Sequence, residues 1–86
     1  MMISEKTTKA LNKQVANELH GAHTYLAMSL AFHGMGLKVF AGRFQAQAEE
    51  ERNHAMKIIK FLQDVGAGVK LDEIGRPEGH FDSALA

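Results

Sequence analysis

The sequence predicts an all-α fold: an antiparallel helical hairpin with arms over about 5–33 and 37–65. Two apolar rows and one glycine break predict it. Leu11, Val15, Glu18, Ala22, Tyr25, Ser29 and Phe32 follow one another at alternating steps of four and three, the spacing of one helix face. Phe40, Phe44, Gln47, Glu51, His54, Ile58, Phe61 and Val65 do the same, and Ala46 to Leu62 holds neither proline nor glycine. Between the rows stands Gly34-Met35-Gly36, where glycine accepts positive φ and a helix can stop.

Each element has its own signals. Ser4 is a candidate N-cap, with Glu5 in the first turn to complement the helix dipole. Gly66-Ala67-Gly68 ends the second arm, so the hairpin occupies about 4–66 of a single half-domain. From 67 to 86 the chain reads as a connector and tail. Val69-Lys70-Leu71 could be extended, Gly75, Pro77 and Gly79 break regular structure, and Phe81 to Ala86 looks like the first turn of a further helix.

Composition excludes several function classes. Eighty-six residues make one small domain at most, and two long helices bury only one face each, so the hairpin needs a partner. Ten Lys+Arg balance ten Asp+Glu in an interspersed pattern, which points to neither nucleic acid nor an anionic membrane. With no cysteine there is no disulfide, thiolate ligand or thiol catalysis, and any metal must be held by oxygen and nitrogen. No apolar run approaches a membrane span and no signal-peptide pattern opens the chain, so a cytoplasmic protein is the default expectation.

The chemistry lies in the charged residues placed on the apolar rows. Glu51 and His54 are three apart, share a helix face and can hold one metal ion together. Glu18 interrupts the first row in the same way. It stands sixteen residues before Gly34, and Glu51 fifteen after Gly36, so both lie roughly 25 Å from the bend and meet at one height in a hairpin. A carboxylate buried on such a row needs compensation, which a cation provides. A surface Glu and His pair is the bland alternative. Glu49 and Glu50 read as a solvated acidic face, His20, His23, His33 and His80 as ordinary exposed histidines, Tyr25 as a packing residue, and Met28 and Met56 as core filler.

These residues resemble the first half of a ferritin subunit of the bacterial non-haem kind. The similar segments are Leu11 to Gln14, Asn17-Glu18-Leu19, Tyr25 to Met28, and Phe44 to Lys57 with its Glu49-Glu50-Glu51-Arg52-Asn53-His54 centre. The resemblance implies that Glu18, Glu51 and His54 are di-iron ligands with Glu51 bridging. It implies that Tyr25 stands beside the site to hydrogen-bond a ligand or supply an electron, and that Glu50 serves a neighbouring third iron. Iron storage or detoxification would follow through Fe(II) oxidation by dioxygen or peroxide, and hard carboxylates with one imidazole suit that chemistry. Arg52 occupies the position where related haem-binding proteins carry methionine, so no haem is expected by that route.

Ferritins have four long helices, and the third and fourth are missing from this sequence. The hairpin is therefore expected to complete a four-helix bundle by pairing, either with a second copy in a homo-oligomer or with a chain carrying the other two helices. A bundle of this class uses one Glu from each of two helices and Glu-x-x-His from each of the others, an inventory that two copies would supply. The competing reading is a structural hairpin assembly, or a fragment without turnover.

Overall fold

A computed structural model describes residues 3–77 as two antiparallel helices, α1 (Glu5–Gly34) and α2 (Lys38–Asp64), joined by a tight turn. The tail from 78 onward lies outside the described residues, and with it the helix start expected at Phe81 to Ala86. Ser4 caps α1 as expected: its backbone is extended and its Oγ accepts a hydrogen bond from the Thr7 amide at 3.1 Å. The segment around Val69-Lys70-Leu71 forms no strand.

Both helices stop by the same device. After α1, Gly36 adopts φ 79°, its amide bonds the His33 carbonyl, and the Leu37 amide reaches back to Phe32. After α2, Gly66 adopts φ 72°, its amide bonds Gln63, and the Ala67 amide reaches Leu62. These paired reach-backs are Schellman motifs, which satisfy the last carbonyls and need a residue free to take positive φ.

The seam between the helices is built from small residues. Ala41, Ala48, Ala55 and Leu62 on α2 are buried at intervals of seven, and they face Val15 and Ser29 of α1, which are buried fourteen apart with Ala22 between them. A seven-residue repeat is the signature of helices that wind around each other at a shallow angle. Ser29 closes the turn end of the seam by donating its Oγ hydrogen to the Ala41 carbonyl at 2.7 Å.

The large apolar residues stand beside this seam. The α2 row of Phe40, Gln47, His54 and Phe61 lies one position before Ala41, Ala48, Ala55 and Leu62, and one residue is about 100° around a helix. The row therefore lines the open side of the hairpin. Phe40 stays 51% exposed and Phe61 46%. The reason is steric: helices approach most closely across small side chains, so alanines take the seam and the bulky rings stand beside it. The α1 row divides the same way, with Val15, Ala22 and Ser29 in the seam and Leu11, Glu18, Tyr25 and Phe32 half-buried on the open side. Met56, expected in the core, is exposed.

After α2 the chain turns back and is pinned to α1. Asn12 donates from Nδ2 to the Gly68 carbonyl at 2.9 Å and accepts the Lys70 amide at 2.8 Å through Oδ1. Ile74 then lines a groove of about 320 Å³ with Leu19, His23, Leu26, Gln45 and Arg52, on the side of the seam away from Glu51. Among the described residues no helix is long and apolar enough to cross a membrane.

Asn12 is thus the fastener of the returning strand of chain. Asn12→Ala should cost about 1 kcal/mol of stability. The Lys70 amide should exchange with solvent much faster while helix amides keep their protection, as read by hydrogen exchange.

Candidate metal centre

The seam fixes the height at which α1 and α2 present their polar residues. Glu18 projects from the middle of α1, and Glu51 and His54 from one face of α2. One ligand atom from each lies within 4.8 Å of the others. Two carboxylates and an imidazole at that spacing can close on a single cation with modest rotamer changes, and hard oxygen donors with one nitrogen suit a first-row divalent ion.

Each oxygen of Glu18 has its own neighbour. Gln14, one turn earlier, donates from Nε2 to Oε1 at 3.0 Å, and His54 Nδ1 stands 3.5 Å from Oε2. The Glu18 side chain is 17% exposed and that of His54 44%, so the imidazole forms the mouth of the cluster and the carboxylates its floor. Gly21 lies beside the other carboxylate, since a Cβ there would stand 3.6 Å from Glu51 Oε2.

The two carboxylates shift one another in opposite directions. The Glu51 carboxyl is held above the ordinary carboxylate range by its hydrogen bond to Glu18, with partial burial acting in the same direction. Glu18 is held below that range, first by this hydrogen bond from Glu51 and then by the Gln14 amide. Two adjacent carboxylates cannot both ionise cheaply without a cation, and a metal takes the proton's place.

Toward the turn the open side becomes aromatic. Tyr25 stacks on Phe44 with ring centroids 6.0 Å apart, Phe44 on Phe32 at 5.2 Å, and Phe32 meets Phe40 at 5.8 Å. Tyr25 stands two turns along α1 from Glu18, and its interaction is this stack. Glu50 is exposed and outside the cluster, as is Glu49, which lines the opposite groove.

Sequence reasoning selected Glu18, Glu51 and His54 and missed Gln14 and Gly21. Gln14 carried a legible signal, because a Gln four residues before a Glu on one helix face is a hydrogen-bonding pair. Gly21 carried none, since its role depends on where the second helix lies.

A helical pair that directs Glu from one arm and Glu-x-x-His from the other defines half of a carboxylate-bridged four-helix bundle. The model of the ferritin family, a ferritin-like domain, matches residues 8–86, and the chain belongs to that family. The chain is 36% identical over 84 residues to the bacterial non-heme ferritin of Campylobacter jejuni subsp. jejuni serotype O:2, covering 98% of itself and 50% of that protein. Against the bacterial non-heme ferritin of Staphylococcus aureus strain USA300 it is likewise 36% identical over 84 residues, with 98% and 51% covered. Among solved structures, an open-pore ferritin from the hyperthermophilic archaeon Archaeoglobus fulgidus superposes with a TM-score of 0.89 at 42% identity, over 98% of this chain and 52% of that one. A closed form of the same ferritin, engineered by site-directed mutagenesis, gives 0.90 at 42% identity over 98% and 51%. The chain spans about half the length of the relatives it matches.

Two outcomes follow from this geometry. A divalent probe such as Co(II) should bind more weakly as pH falls, because the Glu51 carboxyl, held above its ordinary range beside Glu18, must lose its proton first. Titration calorimetry in buffers of different ionisation enthalpy should show proton release at mildly acidic pH, and an affinity independent of pH would contradict the raised Glu51 carboxyl. Gly21→Ala should stabilise the helix by about 0.5–1 kcal/mol, since a methyl fits against Glu51 at ordinary contact distance. Thermal unfolding measures it.

Proposed function

We propose that the chain binds Fe(II) through Glu18, Glu51 and His54 as one half of a di-iron site, and that the completed bundle oxidises the iron for storage or detoxification. The convergence of two carboxylates and an imidazole within 4.8 Å, on the face left open by the hairpin, carries this reading. Membership of the ferritin family supports iron as the ion. Iron is substrate and cargo here: each Fe(II) gives up one electron to dioxygen or peroxide.

The residues divide the work by position. Glu51, grouped with Glu18 on one side and His54 on the other, is the group assigned to bridge two ions. Glu18 and His54 are terminal ligands, and Gln14 holds the Glu18 carboxylate in orientation through Oε1. Tyr25 closes the site toward the turn and is the candidate electron donor, with the Phe44 stack fixing its ring. Glu50 is assigned to a peripheral ion at most, since it points about 100° away from Glu51 around α2.

Completion requires two further helices, because the rows of α1 and α2 present three ligands between them and the class uses twice that number. The relatives' greater length supports a partner hairpin, from this chain or another.

Glu51→Ala should abolish most binding of Fe(II) under anaerobic titration, at least a hundredfold in affinity. His54→Ala should fall between this variant and the wild type, and Glu50→Ala should leave the central site filled. Equal losses in the Glu50 and Glu51 variants would refute the assignment. Rapid oxidation on admitting dioxygen, followed by absorbance, separates an oxidising centre from a passive scaffold.

A further inference from the structure

We propose that Gln14 determines which ions the centre accepts. By tying one Glu18 oxygen to its own helix it makes Glu18 a one-oxygen ligand, and the site thereby favours small first-row divalent ions over larger hard ions such as Ca(II). The proposal rests on the reading of Glu18, Glu51 and His54 as a metal site, and it adds the residue that sets the selectivity of that site.

The two oxygens of Glu18 are not equivalent. Helical side chains lean toward the N-terminus of their own helix, so Glu18 leans over the turn that carries Gln14. There the Gln14 Nε2 donates to Oε1 at 3.0 Å. The other oxygen, Oε2, is the one that stands 3.5 Å from His54 Nδ1. One oxygen is therefore engaged within α1 and the other faces α2. Turning both onto a single ion requires the carboxylate to rotate and give up the Gln14 bond, which corresponds to about fivefold in an equilibrium constant.

A neutral amide suits this task. A carboxylate at position 14 would join the cluster as a further ligand, and a cationic side chain would compete with the metal for the charge of Glu18. Gln14 restrains the ligand and leaves its charge unchanged. It is exposed, whereas the Glu18 side chain is largely covered, so the donor acts from the solvent side and its removal leaves the seam between the helices intact.

Ion chemistry turns this restraint into selectivity. Ca(II) gathers roughly six to eight oxygens and often takes both from one carboxylate. First-row divalent ions accept fewer donors and readily include an imidazole. With the Glu18 Oε1 withheld, the trio offers fewer oxygens to one ion together with the His54 nitrogen, which suits the second group and leaves Ca(II) under-coordinated.

Gln14→Met tests the proposal, since it removes the donor, keeps the length of the side chain and preserves helix propensity. Co(II), followed by its visible absorbance, and Ca(II), added as competitor, carry the same charge and differ in size. The Co(II)-to-Ca(II) affinity ratio should fall about fivefold in the variant, with unchanged circular dichroism and Co(II) stoichiometry. In the Ca(II)-loaded variant the infrared separation between antisymmetric and symmetric carboxylate stretches should narrow, as it does when one carboxylate chelates through both oxygens. Gln14→Lys, which restores a donor, should keep the wild-type ratio while weakening both ions alike through its charge. A ratio unchanged in Gln14→Met overturns the proposal and leaves the metal site standing. Co(II) uptake that survives Glu51→Ala in the same assay overturns the reading of the site, and the proposal with it.

Discussion

Close approach of α1 and α2 across small side chains is the constraint on which the rest of the structure depends. With Ala41, Ala48 and Ala55 on one side and Ala22 and Ser29 on the other, the backbones come near enough for ligand atoms of Glu18, Glu51 and His54 to lie within 4.8 Å of one another. Larger residues there would separate the axes, and Glu18 would lose Glu51 and His54 together. The Ser29 bond to the Ala41 carbonyl sets the register at the turn, and Asn12 fastens the chain as it leaves the other end. The site lies between these two ties, on the most regular part of both helices.

Such a seam leaves an energetic question that small side chains alone do not answer. Alanine buries little apolar area, so the seam supplies geometry more than hydrophobic stabilisation. The larger apolar groups, Phe40, Phe44, Ile58 and Phe61, stand on the open face where a second layer must cover them. The same face carries the carboxylates whose mutual repulsion a metal relieves. The apolar residues and the carboxylate cluster therefore lie on one face of the hairpin.

Much of this was legible in the residues. Ser4 as a cap and the glycines at both helix ends fixed the limits of the arms to within a residue or so, because the conformations they adopt are local. Equal distances of Glu18 and Glu51 from the bend foretold that they meet, since helical rise is constant. The seam was not legible, because large apolar residues dominate any periodic pattern, whereas contact between helices selects small ones. Phe40 and Phe61 marked the apolar face that the hairpin leaves open.

By itself the sequence determined the all-α class, the two arms, the turn and the trio Glu18, Glu51 and His54, all consequences of local propensity and helical periodicity. Only the tertiary structure decided which face each row presents, that Gln14 holds Glu18, that Gly21 leaves space beside Glu51, and that Asn12 receives the chain at Gly68 and Lys70. Those facts join residues distant in sequence or depend on the rotation of one helix against another. Rotation is settled by packing volume across the seam, which no single row of side chains records.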